Sequence, residues 1–173
     1  MIGTRHWLRL VALAAILTTC VGCDQLTKRI ARQHLDGSPP RSYCGDTFRL
    51  IYAENPGAFL GLGGQLPPMA RWTLLVVVNS LVAAALTVII LWNSSMSAMR
   101  ATACALLLSG ALGNLIDRVR FDGLVIDFMN LGVGPLRTGI FNVADVAVSL
   151  GAVLLILPHL ASPKPQGEPA RRP

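Results

Sequence analysis

The sequence offers few of the residues from which soluble enzymes build metal sites, disulfide scaffolds or catalytic triads. It has 3 histidines and 4 cysteines, and only Cys44 falls in a long polar stretch. No cluster of histidine and cysteine has the spacing of a zinc site, and no phosphate-binding GxxxxGKS/T loop occurs. The histidines also lie away from the polar residues described below, which argues against a Ser-His-Asp or Cys-His site. We therefore expect no zinc site, no nucleotide-binding loop and no histidine-based catalytic site.

Charged residues are scarce as well. Only 14% of the residues are charged, 53% are hydrophobic, and the mean hydropathy is +0.55. Such a composition is typical of a small multi-pass membrane protein. The net charge of +6 could indicate a nucleic-acid partner, but the basic residues flank the apolar runs and form no stripe with interleaved aromatics. We therefore expect contact with a membrane surface and no nucleic-acid partner.

Four apolar runs predict four transmembrane helices, at residues 7–23, 72–92, 101–116 and 143–160. The second run is uncharged and has tryptophan at each end, as membrane interfaces favour. The fourth is expected to end at Pro158. The first is short, about 25 Å as a helix, and its LTTC and CVGC segments approach a lipoprotein cleavage box. A cleaved leader is thus the alternative to an uncleaved anchor, which we prefer because the polar residues after it fit a site attached to it.

The polar connections complete the predicted fold. Residues 29–71 contain a helix-breaking Ser-Pro-Pro, a strand-like segment at 47–53 and a glycine-rich segment at 55–64 that predicts either a mobile apolar flap or a plain turn. The density of basic residues in short loops favours both termini in the cytoplasm. We predict a mainly α membrane protein with four transmembrane helices and a small extracytoplasmic β-containing loop region between helices 1 and 2. Residues 1–161 form this domain, and 162–173 form a disordered, proline-rich cytoplasmic tail.

Two aspartates lie where ionised groups are uncommon. Asp127 lies within an apolar stretch, and Asp145 opens the fourth apolar run. A carboxylate beside hydrocarbon usually pairs, takes up a proton or lines a wet cavity. If the two converge, the charged one can act as general base on a water while the protonated one supplies a proton to a substrate carbonyl. Alternatively they cap helices or pair with Arg118 or Arg137, or they carry protons or cations in a small transporter or channel subunit.

Two further pairs of polar residues are spaced one helical turn apart. Asp24 and Lys28 follow the first apolar run, and Asn114 and Arg118 lie at the end of the third. Residues four apart share one face of a helix. The first pair therefore either marks a helix leaving the bilayer or places both side chains together at the membrane edge, and the second pair presents polar groups on one side of the third helix at its far end.

Five short segments carry a family resemblance. They are DQLTK at 24–28, NPGAF at 55–59, GNLIDR at 113–118, VIDF at 125–128 and FNVAD at 141–145. In this order, between four apolar runs, they resemble the bacterial lipoprotein signal peptidases, also called signal peptidase II. The resemblance covers nearly the whole chain except the tail.

The resemblance implies an integral-membrane aspartic protease with Asp127 and Asp145 as its catalytic pair. Its substrates would be prolipoproteins that carry diacylglycerol on a cysteine, cut just before that cysteine, and it would use no metal or cofactor. We also expect a monomer among the lipids of the bacterial inner membrane, and the charge distribution places the site near the extracytoplasmic face. The residues expected to bind substrate or support the pair are Asp24, Lys28, Asn55, Gly57, Phe59, Asn114, Asp117, Arg118 and Asn142.

Overall fold

The computed structural model describes residues 4–57, 65–93 and 95–161. In this part of the chain four helices make up most of the molecule: α1 (Thr4–Leu35), α2 (Pro68–Trp92), α3 (Ala98–Arg120) and α4 (Val143–Ala161). Among these described helices, α1, α2 and α3 are long and apolar enough to cross a membrane, and α4 contains a shorter apolar segment, Val143–Leu157. The predicted number and order of helices are confirmed, and Phe59 lies outside the described residues.

Helix α1 is longer than its apolar run. It continues for twelve residues beyond position 23, most of them polar or charged, and ends at Leu35. Gly37 has φ +67° there, and Ser38 N–H donates to the Leu35 carbonyl at 3.0 Å. A positive φ at this place is the usual glycine end of a helix. At 1.5 Å per residue, α1 is about 48 Å long, so part of it extends beyond a bilayer core of about 30 Å.

The predicted end of the fourth helix was wrong. Helix α4 continues through Pro158 to Ala161. Proline removes one N–H donor and crowds the carbonyl four residues earlier, but apolar helices accommodate this local loss without ending.

A small antiparallel sheet lies at one end of the helices. In the described residues it has the order β1 (Arg41–Tyr43), β2 (Phe48–Asn55), β3 (Val125–Val133) and β4 (Leu136–Arg137). Strand β2 confirms the strand expected near 47–53. The prediction that β-structure lies only between helices 1 and 2 was incomplete, because β3 and β4 come from the connection between α3 and α4. The sheet thus joins the two long connections, and Ala53 of β2 pairs with Asp127 of β3.

Helix α3 is the centre of the packing. Its small residues let its neighbours approach closely: a Cβ at Gly110 would lie 2.5 Å from the carbonyl oxygen of Ala144 in α4. Ala105, Ser109 and Gly113 are buried, as the spacing of small residues predicts. Asn79 of α2 donates to the Ala111 carbonyl of α3 at 2.9 Å. Small side chains therefore hold α3 tightly against α4, whose first turn carries Asp145.

Candidate active site

Asp127 and Asp145 lie on the wall of one cavity, whose volume is about 820 Å³. Asp127 is on β3, and Asp145 is in the first turn of α4. The sheet and α4 therefore bring together two carboxylates that are 18 positions apart in sequence. The polar lining includes Asn55, Asn114 and Arg118; the apolar lining follows α4 and the end of the sheet, with Ile140, Phe141, Val146, Leu150 and Val153.

Asn142 connects the two aspartates. Its side chain is fully buried, and its Nδ2 donates to Asp127 Oδ1 at 2.6 Å. Its Oδ1 accepts from the N–H of Asp145 at 3.0 Å, and Asp145 Oδ2 accepts from the N–H of Asn142 at 3.1 Å. This reciprocal pair is the capping box of a helix N-terminus. Asp145 does cap α4, as one alternative held, and the same cap brings Asn142 into contact with Asp127.

Each carboxylate has a second amide donor. Asn55 Nδ2 donates to Asp127 Oδ2 at 2.9 Å, and Asn55 Oδ1 accepts from the N–H of Gly57 at 2.9 Å. Asn114 Nδ2 donates to Asp145 Oδ1 at 3.0 Å. Three of the expected supporting residues (Asn55, Asn114 and Asn142) therefore contact an aspartate directly, and their donors favour the charged carboxylates.

Asp127 nevertheless binds its proton more tightly than an ordinary aspartate. Burial raises the pKa of Asp127 to about 6, the charge of Asp145 acts in the same direction, and the hydrogen bonds from Asn55 and Asn142 oppose it. Only 2% of Asp127 is exposed, which explains why burial dominates. Near neutral pH this carboxyl can therefore either hold or release a proton.

Arg118 lies in the cavity wall without pairing to the aspartates. Its guanidinium donates to the carbonyls of Gly57 at 3.1 Å and Asn114 at 3.3 Å. Arg137 contacts Asp46 instead, through the Asp46 carbonyl at 2.8 Å. Within residues 4–57, 65–93 and 95–161, neither arginine forms an ion pair with Asp127 or Asp145. Direct pairing with an arginine was thus the wrong alternative for these aspartates.

Asp24, Lys28 and Asp117 form a buried ionic cluster that does not line the cavity. Lys28 Nζ lies 2.9 Å from Asp24 Oδ2 and 2.9 Å from Asp117 Oδ2. All three side chains are at most 2% exposed. The polar pair on α1 therefore turns inward and meets α3, and it is not the exposed end of a helix leaving the bilayer. Gln25, which the sequence analysis did not select, joins the cluster by donating to Asp117 Oδ1 at 2.9 Å.

Comparison with known proteins identifies the family of the chain. The family model described as signal peptidase (SPase) II matches residues 16–161. The chain belongs to the signal peptidase II family. The protein is thus a peptidase of the aspartic signal peptidase II type within a multi-pass membrane fold, and the resemblance seen in its five segments is confirmed.

Curated relatives and solved structures agree with this membership in the signal peptidase II family. The chain is 39% identical to a lipoprotein signal peptidase of Sphingopyxis alaskensis over 153 residues, which are 87% of this chain and 86% of the relative. It is 36% identical to that of Moorella thermoacetica, covering 93% and 97% of the two chains. A bacterial membrane enzyme solved by the in meso method superposes with a TM-score of 0.72 at 26% identity, covering 88% and 94%.

The signal peptidase cavity also has a rim that the sequence analysis missed. Residues Leu131 and Thr138 to Phe141, at the end of the sheet, line it. Arg137 holds this part in place by donating to Asn130 Oδ1 at 2.5 Å and to the turn at Asp46. Hydrogen bonds from Arg49 keep the pKa of Asp46 below its ordinary value. The signal for Phe141 was present, since it opens the FNVAD segment.

Among the described residues, no group of three or more metal-ligand side chains converges.

Proposed function

We propose that the chain hydrolyses prolipoproteins just before their diacylglyceryl-modified cysteine, with Asp127 and Asp145 as the catalytic pair. The observation that carries this proposal is the convergence of two buried carboxylates on one cavity wall, joined through Asn142. Such pairs hydrolyse peptides by sharing one proton between two acids. The names of the curated relatives support the substrate class.

The proton roles follow from the surroundings of each acid. Asp127, whose pKa is raised to about 6, is proposed to hold the proton and donate it to the carbonyl oxygen of the scissile bond. Asp145 takes a proton from a water, whose oxygen attacks the carbonyl carbon. As the C–N bond breaks, Asp145 returns its proton to the leaving amine, and Asp127 regains one from the tetrahedral intermediate. Atoms and charge balance without a further reactant.

The shape of the cavity supports a lipid-bearing substrate. Val146, Leu150 and Val153 line its α4 side and are 40%, 53% and 51% exposed. Side chains of this kind suit acyl chains, because apolar surface gains free energy when it leaves water or packs against lipid. We propose that the modified cysteine reaches the aspartates from the bilayer along this side of α4.

The fold also supports an orientation. The start of α1, the end of α2 and the start of α3 share one end of the helices, and the sheet lies at the other. We propose that the first end faces the cytoplasm, with both termini, and that the sheet and the aspartates lie near the extracytoplasmic face of the bacterial inner membrane. The enzyme acts as a monomer with residues 1–161 as its catalytic domain, a boundary at which the family match also ends.

The test is cleavage of a diacylglyceryl-modified prolipoprotein by purified enzyme. Asp127→Asn and Asp145→Asn should each lower turnover by at least about 10² to 10⁴, the usual effect of losing a general acid or base. Asp122→Asn is the matched control, because Asp122 is exposed and its φ of +51° is one that asparagine tolerates. Near-normal turnover by either cavity variant would remove that aspartate from the catalytic pair.

A further inference from the structure

The buried cluster behind the catalytic pair makes two backbone contacts at equivalent positions. Asp24 Oδ1 accepts from the N–H of Ala144 at 2.8 Å, and Asp117 Oδ2 accepts from the N–H of Ile126 at 3.1 Å. Ala144 immediately precedes Asp145, and Ile126 immediately precedes Asp127. Each catalytic aspartate is therefore one residue away from a backbone amide held by a buried carboxylate.

Lys28 joins these two contacts into one unit. Its Nζ lies 2.9 Å from a carboxylate oxygen of Asp24 and 2.9 Å from one of Asp117. The same ammonium donates to Asn114 Oδ1 at 2.9 Å, and Asn114 in turn donates to Asp145. A charged hydrogen bond is shorter and stronger than a neutral one. A shift of either carboxylate would therefore be transmitted through Lys28 to the other.

The close packing leaves little freedom for the cluster. A Cβ at Gly113 of α3 would lie 2.7 Å from Asp24 Oδ2 and 3.1 Å from the Cβ of Ala144. The Asp24 side chain thus passes through a space that exists only because residue 113 is glycine. The amide of Ala144 belongs to the first turn of α4, where N–H groups have no partner within the helix. The need to satisfy that donor explains the contact between Ala144 and Asp24. It does not explain why Lys28, which binds Asp24, also binds Asp117, the carboxylate that accepts from the N–H of Ile126.

We propose that Asp24, Lys28 and Asp117 form a positioning clamp that sets the distance between the Asp127 and Asp145 carboxyl groups. The clamp rests on the proposed catalytic role of these two aspartates. It acts from behind, through the backbone of β3 and α4, and none of its three side chains lines the cavity. Its loss therefore changes turnover and leaves substrate affinity unchanged, because catalysis depends on the geometry of the pair more steeply than binding does.

The test compares Asp24→Asn, Asp117→Asn and the double variant, with rates divided by the number of active sites titrated with a tight-binding lipopeptide inhibitor. Each single variant should lower kcat by roughly 10- to 100-fold with KM changed by less than about twofold. Since the two carboxylates act through one lysine, the double variant should lose little more than the worse single one. Asn79→Leu is the matched control: it also removes a buried interhelical hydrogen bond, and its kcat per site should be unchanged.

The pH profile separates position from charge. Removing one negative charge near the pair moves the acidic and the basic limb of the plot of kcat against pH to lower pH together. Loosening the pair also weakens the repulsion between its carboxylates, so the interval between the limbs becomes narrower. The clamp predicts an interval narrower than that of the wild type in both single variants and an unchanged interval in Asn79→Leu. A shift of both limbs with an unchanged interval would assign Asp24 and Asp117 a purely electrostatic role and overturn the proposal.

Glutamate variants cover the case in which an asparagine variant does not fold. Asp24→Glu and Asp117→Glu keep the charge and the acceptor but lengthen the side chain by one methylene. The clamp therefore predicts a loss of kcat similar to that of the asparagine variants. Wild-type kcat per titrated site in these variants, or additive losses in the double variant, would overturn it. Turnover retained by Asp127→Asn or Asp145→Asn, measured in the same series, would instead contradict the proposed function.

Discussion

Replacing Asp127 with asparagine should change the stability of the enzyme in opposite directions at pH 7 and pH 4. The carboxyl lies on β3, outside the helices that cross the membrane, and burial raises its pKa from 3.8 to about 6. A carboxyl with a raised folded pKa opposes folding once it ionises. This penalty is absent below pH 3.8, grows as the pH rises from 3.8 to 6, and is constant above that range.

The magnitude follows from the pKa shift. About two pKa units at 1.36 kcal/mol each correspond to roughly 3 kcal/mol at pH 7, and the same relation leaves about 0.5 kcal/mol at pH 4. Asparagine removes the whole penalty but keeps only one of the two acceptors that face Asn55 and Asn142, which is a loss of about 1 kcal/mol. Asp127→Asn should therefore gain about 2 kcal/mol at pH 7 and lose a few tenths of a kcal/mol at pH 4.

The assay is thermal unfolding in detergent, followed by tryptophan fluorescence at the two pH values. One kcal/mol corresponds to about 2–4 °C in chains of this size. We expect the inactive variant to melt several degrees above the wild type at pH 7 and at or slightly below it at pH 4. Asp122→Asn, which changes an exposed carboxyl, should match the wild type at both. An Asp127→Asn shift of equal size and sign at both pH values would refute a buried, ionising Asp127.

Three further variants test the surroundings of the pair. Arg118→Lys should lower kcat at least about tenfold while the protein stays folded, because one ammonium cannot reproduce the fork of guanidinium donors, one of which binds the Gly57 carbonyl; wild-type kinetics would show that charge alone suffices. Gly110→Leu should abolish cleavage and lower the melting temperature, because even its Cβ would lie 2.5 Å from the Ala144 carbonyl oxygen; wild-type cleavage and melting would contradict this packing. Lys28→Met should destabilise the fold by about 3–5 kcal/mol, measured by unfolding, and an unchanged stability would show that its two acids are not charged.

The aspartates themselves could be predicted from the sequence for a simple physical reason. Charged groups are so unfavourable beside hydrocarbon that Asp127 and Asp145 stand out in apolar surroundings. Helices could be predicted for a similar reason, since long apolar runs of 16–21 residues with at most one charge have few other structures available to them. In both cases the signal is local and the energies are several kcal/mol.

The second half of the sheet could not be predicted in this way. Strand β3 begins with four buried residues in succession, Val125 to Phe128, so it lacks the alternation that marks a half-exposed strand. A short, continuous apolar segment is equally compatible with a buried helix or strand, and its pairing with β2 depends on residues 70 or more positions away. The rim of the cavity at Thr138 to Phe141 depends on that pairing and was therefore missed.

The contacts of α1 show the same limit at the site itself. The spacing of Asp24 and Lys28 predicts a shared face but not which segment that face meets, and both an interfacial helix end and an inward pair satisfy it. The structure resolves this through Ala144, which is 120 positions from Asp24 in sequence. Two buried acids sharing one lysine are unfavourable unless their remaining lone pairs are also satisfied, and the amides before Asp127 and Asp145 supply those hydrogen bonds. The stability of the cluster and the placement of the pair therefore depend on the same contacts, so mutations in the cluster should be judged by kcat per folded site.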